Sequence, residues 1–296
     1  MTEFIQQLVN GLSLGATYSL LALGLAIVFT TFGLINFAHG ELITITSYAT
    51  FGCMLLGLPW FAAIVLGVVS AMISAVLMER FAFRPVRGKP GTTSLLTSFG
   101  LSLIIQAVIV IIVSPRSKTV QQWSWLGGSE TIGGLVIPRY QIVTVLVALV
   151  ALLIMVFVLK KTSVGLQIRG AAEDLEGVRL LGVRSGRLVV IAFAASGLLA
   201  GIAAVLMMAR TGGSINPHMG LMPMLSAFVA VVLGGFGSLA GAVLGGFLLG
   251  LLEVSLRAWL PDSAVGITTA IIFAIVVVVL RIKPTGIMGK VIEEKV

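Results

Sequence analysis

The stretch "FGLINFAHGELITITSYATF", residues 32–51, sets Asn36, His39 and Glu41 between two apolar runs. Nearly continuous apolar segments fill the rest of the chain, near 8–29, 36–56, 61–79, 94–113, 140–159, 188–208, 223–234, 238–256 and 264–281. Runs such as "VTVLVALVALLIMVFVL" do not alternate apolar with polar as barrel strands do, so the pattern predicts helices. About 20 helical residues cross a hydrocarbon layer of about 30 Å. The seventh segment is short for a crossing and is a candidate re-entrant element. The expectation is an all-α polytopic bundle of about nine transmembrane helices (eight to ten), a single transmembrane domain over 1–296.

Composition agrees with a lipid solvent. Hydrophobic residues make up 58% and charged residues 10%, with mean hydropathy +1.14; soluble domains carry about 25% charged residues. "MTEFIQQ" has no Lys or Arg, unlike the basic start of a cleaved signal, so the first run is expected to remain a membrane helix. Cys53 is the single cysteine, which excludes a disulfide within the chain, and no metal-ligand spacing occurs. No cofactor is implied.

The net charge of +8 reads as membrane orientation rather than nucleic-acid binding. Loops 80–92 and 160–187 and the tail hold fourteen of the 19 basic residues; the other loops hold Arg116, Lys118, Arg139, Arg210 and Arg257. The positive-inside rule places the first group in the cytoplasm, the N-terminus outside and the C-terminus inside. Trp123, Trp125 and Tyr140 in and beside the outer loop 114–139 suit headgroup anchoring or an external partner.

Small residues recur four apart: Gly11, Gly15 and Ser19; Gly197 and Gly201; Gly237, Gly241 and Gly245. Such faces let helix backbones approach in lipid, where no hydrophobic force drives association. "GLINFAHG" (33–40) and "GSINPHMG" (213–220) share Gly-x-Ile-Asn-x-x-x-Gly at an offset of 180 and contain the only two histidines, His39 and His218. On opposite sides of the membrane, the two copies would mark an inverted internal repeat.

Among motifs for chemistry, no phosphate-cradling loop, nucleophile elbow or zinc-protease motif is present, and no enzyme is expected. Glu41 would cost roughly 2.5–3.5 kcal/mol if charged at a helix centre. Asn36 and His39 are candidates to cap a helix break, Asn36, His39, Glu41, Asn216 and His218 to line a polar path, and His39 with Glu41 to relay a proton. Glu79 and Glu253, near span ends, are expected to reach water or pair with a base. In "GLQIRGAAEDLEGVRLLGV" an amphipathic helix is expected, with Ala171, Leu175, Val178 and Leu181 on one stripe and Glu173, Asp174, Glu176 and Arg179 between them. The stripe suits a membrane surface or a protein groove, and its acids favour the groove in a leaflet facing anionic lipid.

"NGLSLGATYSLLALGLAIVF", "INFAHGE", "ERFAFRPVRG", "AAEDLEGVRLLGV", "SINPHMGLMPMLSAFVAVVLGGFGSLAGAVLGG" and "KPTGIMG" together resemble the inner-membrane permeases of branched-chain amino acid ABC importers, nearly end to end. The H-type subunit of the Leu/Ile/Val system is the nearest type. Gly170 and Glu176-Gly177 depart from the pattern. The resemblance implies a homologous M-type permease partner, two cytoplasmic ATPase subunits and a periplasmic binding protein. It also implies a coupling loop from Ala171 to Gly182 that docks on the ATPase, and a bacterial inner-membrane location. It leaves the substrate open among Leu, Ile, Val, other amino acids, amides and urea. The rival class is a self-sufficient secondary transporter or channel for a small polar solute, which would need no ATPase.

Overall fold

The computed structural model describes residues 2–120 and 124–289. Trp123, Lys290 and Lys295 of the sequence reading lie outside them. Each apolar segment forms a helix: α1 Thr2–Phe32, α2 His39–Leu55, α3 Trp60–Met78, α4 Gly91–Ile112, α5 Arg139–Lys161, α8 Ser185–Arg210, α9 Leu221–Gly234, α10 Leu239–Trp259 and α12 Thr268–Ile282. Short helices α6 Ser163–Glu173, α7 Leu175–Leu180 and α11 Asp262–Val265 connect them. The protein is an all-α polytopic membrane protein. Among the described residues six helices are long and apolar enough to cross a membrane; α9 and α12 are shorter apolar helices, and α2 has 17 residues. Two small antiparallel pairings, β1 (Lys118–Thr119) with β4 (Ser214–Ile215) and β2 (Ser129–Ile132) with β3 (Leu135–Pro138), decorate one end.

Helix α1 is the hub, buried from Leu20 to Val28. Around it, α3, α4 and α5 turn large apolar side chains outward, such as Ile73, Leu103 and Leu153. An apolar surface of this extent requires a lipid solvent.

Close backbone approach holds the hub. Gly11 lies against Leu251 and Gly15 against Phe247, so residue number rises on α1 as it falls on α10, and the two helices are antiparallel. A methyl group added at Gly15 would sit 2.8 Å from Phe247 Cα. Gly197 and Gly201 of α8 meet Ala71 and Val68 of α3 in the same antiparallel sense. Gly241 and Gly245 meet Gly234 and Ala230 of α9. Gly237 does not belong to that face: it lies in the turn before α10 at φ +86° with open space around it.

The chain repeats its backbone at the offset of 180. Gly33 and Gly213 both take positive φ (64° and 81°), as do Gly57 and Gly237 (78° and 86°). The amide of His39 bonds the carbonyl of Asn36 at 3.2 Å, and that of Met219 bonds Asn216 at 3.2 Å. The amides of Glu41 and Leu221 bond Ala38 and His218. Helix pairings repeat as well: α1 against α10 matches α8 against α3, and α2 against α3 matches α9 against α10.

Loop contacts sort the helix ends onto two faces. Gln6 bonds the backbone of Val136 in both directions, Gln141 bonds Asn10, and β1 pairs with β4, which gathers 2–10, 113–120, 124–139 and 210–216 on one face. On the other, Phe29 packs on Phe236, and Ile287 and Met288 bond the carbonyls of Leu233 and Gly234. Helix α3 continues toward this second face through a π-helical turn, Glu79–Phe83, and a 3-10 turn, Arg84–Val86. Glu79 pairs there with Arg87, and Glu253 of α10 pairs with Arg257.

Between α5 and α8 the expected single amphipathic helix is two. Helix α6 buries Ile168 and Ala171 and ends at Asp174, whose carboxylate accepts from the amide of Gly177 at 3.0 Å inside α7. Asp174 thus starts a second helix instead of lying within one. Gly182 (φ +82°) then closes α7. Ala171 therefore faces the bundle, whereas Leu180 and Leu181 stand 89% and 83% exposed.

Gly250 of α10 sits against the backbone of Gly15. Gly250→Leu is expected to cost about 3 kcal/mol by overpacking, read as a lower melting temperature in detergent. Gly52→Leu, with open space at that position, is expected to melt like the parent.

Candidate functional site

Helix α1 ends where Gly33 takes positive φ and its amide bonds Phe29 at 2.8 Å. The chain then folds back along α1. Gly24 lies against the His39 ring, so α2 starts about 12 Å, or eight helical residues, short of the end of α1. This start meets the start of α9. A side chain at Gly40 would strike the carbonyl of Gly220 and Met224 Cβ; one at Gly220 would strike the carbonyl of Gly40 and Thr44 Oγ1. The contact is reciprocal, and the two first turns cross antiparallel.

Polar side chains gather where these starts meet. Glu41 is 1% exposed in the first turn of α2, where the helix dipole favours a carboxylate. Its Oε1 accepts from Ser102 Oγ at 2.8 Å and from Gln106 Nε2 at 2.6 Å, both on α4. Gln106 Oε1 lies 2.7 Å from His218 Nδ1. With the Gln106 amide donating to Glu41, its carbonyl is the acceptor, and the Nδ1 tautomer of His218 donates. The amide of His218 in turn bonds Asn216 Oδ1 at 3.0 Å. One chain of hydrogen bonds therefore links Glu41, Gln106, His218 and Asn216 across both sequence copies.

His39 stands apart from that chain. Its Nδ1 is 3.1 Å from Ser196 Oγ on α8, and its ring fills the space beside Gly24. Asn36 is buried, but its side chain does not cap α2; its backbone carbonyl receives the His39 amide, and Ala38 is the N-cap.

Ser102 and Gln106 escaped the sequence reading. Ser94, Ser98, Ser102 and Gln106 are the buried residues of α4, spaced by four, while Leu96, Leu103 and Ile111 face outward. Helix α4 thus turns a polar seam inward that meets α2 at Ser102 and Gln106, supplemented by the Phe37–Phe99 stack at 4.5 Å. That spacing was present in "SLLTSFGLSLIIQ" and is a polar stripe with helical period.

Similarity to known proteins assigns the family. A family model described as the permease component of branched-chain amino acid transport systems matches residues 7–280. The chain belongs to this permease family. The permease is 34% identical over 306 aligned residues to the high-affinity branched-chain amino acid transport system permease protein LivH of Salmonella typhimurium, covering 99% of this chain and 98% of that one. It is equally similar to LivH of Escherichia coli K12, and 33% identical to BraD of Pseudomonas aeruginosa with the same coverage.

Removing Gln106 leaves the buried Glu41 with one fewer donor and His218 without its acceptor. Gln106→Leu is expected to destabilise the permease by about 3 kcal/mol. Ser94→Ala loses only a bond to the Gly91 carbonyl and is expected to change stability by about 0.5 kcal/mol or less. Thermal unfolding in detergent compares the two; equal losses would contradict the bridging role.

Proposed function

We propose that the chain is the membrane-spanning subunit of a binding-protein-dependent importer of branched-chain amino acids in a bacterial inner membrane. The near-full-length kinship to permeases of such systems carries the reading. The polar chain Glu41–Gln106–His218, lying where α2 and α9 begin, supports it: half-helices that start within the membrane commonly place their positive ends at an anionic group of the substrate. Asn36, His39, Glu41, Asn216 and His218 line or brace that path, together with Ser102 and Gln106.

The bundle crosses the membrane nine times as an inverted repeat, with α1–α4 and α8, α9, α10 and α12 as its halves. The N-terminus is outside and the C-terminus inside. The face that gathers 2–10 and 124–139 is then external, which agrees with the basic residues concentrated on the other face. The partners are a homologous M-type permease, two ATPase subunits that hydrolyse the ATP this chain has no loop to bind, and a periplasmic binding protein. The segment from Ala171 to Gly182 is the coupling loop. Ala171 roots it in the bundle, Glu173, Asp174 and Val178 shape the α6–α7 elbow, and Leu181 with Leu180 projects into the partner. The side chain of Leu175, the other expected anchor, lies outside the described residues.

Uptake of radiolabelled leucine into vesicles tests the proposal. The assembled importer is expected to need ATP and binding protein, and the chain alone is expected to be inert. Uptake by the pure chain under a proton gradient would make it a secondary transporter. In the assembled importer, Leu181→Asp places a charge in the docking groove and is expected to reduce uptake at least about tenfold, with normal insertion. Parental uptake by that variant would remove the docking role.

A further inference from the structure

A second polar group of residues lies outside the seam, at the face that gathers the N-terminus. Glu253 on α10 is 7% exposed. Its Oε2 accepts from the Tyr18 hydroxyl of α1 at 2.8 Å, and its Oε1 pairs with Arg257 Nη2 at 2.8 Å. The Ser226 hydroxyl of α9 lies beside Tyr18. These groups line a cavity of about 250 Å³ between α1, α9, α10, α12 and the end of α8. A neighbouring hollow of about 330 Å³, with polar walls that include Gln7, Asn10 and Gln141, shares Leu14, Arg210 and Arg257 with it.

Arg210 decides what this arrangement fits. It ends α8, lines both hollows and has no carboxylate partner among the described residues. Two arginines face one glutamate, so one positive charge is left over at the junction. Behind the junction the wall is apolar, formed by Met222, Val229, Leu249, Ile272 and Phe273. A Tyr–Glu–Arg chain that only fastened α1 to α10 would need neither the second arginine nor the apolar chamber. An i,i+4 ion pair whose arginine is half exposed is moreover a weak source of stability.

We propose that this chamber is an outward-facing binding site for an α-amino acid with a branched apolar side chain, separate from the seam along α4. Arg210 and the outward side of the Arg257 guanidinium hold the carboxylate. Glu253 and Tyr18 hold the ammonium, and the apolar chamber takes the side chain. The polar hollow is the vestibule through which the amino acid enters. The assignment rests on the importer reading above and names where an arriving substrate is first held.

Retention of radiolabelled leucine by the full chain in nanodiscs tests the site, with unlabelled competitors. Isoleucine and valine are expected to displace it. Leucinamide, which lacks the carboxylate, and 4-methylpentanoate, which lacks the ammonium, are expected to compete at least about tenfold more weakly. Arg210→Gln is expected to weaken leucine binding at least about tenfold, and Leu249→Trp to abolish it by filling the chamber. Arg116→Gln, outside the lining of both hollows, is the control expected to bind as the parent does. No retention by the parent chain, or parental affinity in both Arg210→Gln and Leu249→Trp, would overturn the site; leucinamide competing as well as leucine would overturn the carboxylate assignment, and 4-methylpentanoate competing as well would overturn the ammonium one. Uptake by the assembled importer separates the two levels. Leucine uptake with unchanged KM in Arg210→Gln removes this site and leaves the importer standing, whereas an assembled importer that moves no branched-chain amino acid removes the importer reading itself.

Discussion

The contact on which the rest depends is the crossing of two helix starts at Gly40 and Gly220. Each glycine lies where any side chain would strike the other's carbonyl, so both positions are confined to glycine by the partner strand of backbone. The crossing fixes how far α2 and α9 are drawn in from the ends of the helices that precede them. It also fixes which polar side chains meet: Glu41 one residue after Gly40, and His218 two residues before Gly220. A bundle without that approach would leave these groups apart, each in need of another partner in lipid, where an unpaired polar group costs several kcal/mol.

Lipid explains the division of labour among the other contacts. With no hydrophobic gain from helix association, the central helices are held by backbone proximity at Gly11, Gly15, Gly197, Gly201, Gly241 and Gly245. Helix α4 is held otherwise, by serines and a glutamine that bond across to α2 or to their own backbone. A tightly packed glycine face is rigid and dry. A polar face with few close backbone contacts can separate and admit water or a polar solute. The two kinds of interface therefore set the glycine-packed helices α1, α8 and α10 apart from the hydrogen-bonded α2–α4 seam.

Much of this was legible in the sequence, because the signals involved were periodic and long. The apolar segments became helices, and the glycine spacing on α1 and α8 marked real contacts. The eight-residue echo pointed to two segments that the fold brings together through Gln106. Gly237 shows the limit of spacing: it keeps the four-residue interval with Gly241 and Gly245, yet it occupies a turn, because its positive φ, repeated at Gly57, is a backbone requirement that spacing does not encode. The stretch after Lys161 shows another. Its apolar spacing ran through Asp174 without interruption, but a local side-chain bond to the Gly177 amide outweighed that pattern and split the helix. Ser102 and Gln106 went unread because serine and glutamine in a membrane helix cost little enough to pass as packing. The charge of Glu41 drew notice, whereas its neutral donors, 61 and 65 residues away, did not.

The same backbone is used twice about the Gly40–Gly220 crossing, and an inverted repeat puts matching positions of the two halves on opposite sides of the membrane. Gly57 and Gly237, equivalent in the two halves, both sit in turns with open space around them, so a cysteine meets no neighbour there and costs only the local strain of its positive φ, about 1–2 kcal/mol. The most direct measurement places a single cysteine at each position in turn, with Cys53 replaced by serine, and labels intact cells with a membrane-impermeant maleimide. The account predicts that position 57 is labelled from outside the cell and that position 237 is labelled only after the cytoplasm is opened. Labelling of both positions from the same side would contradict it.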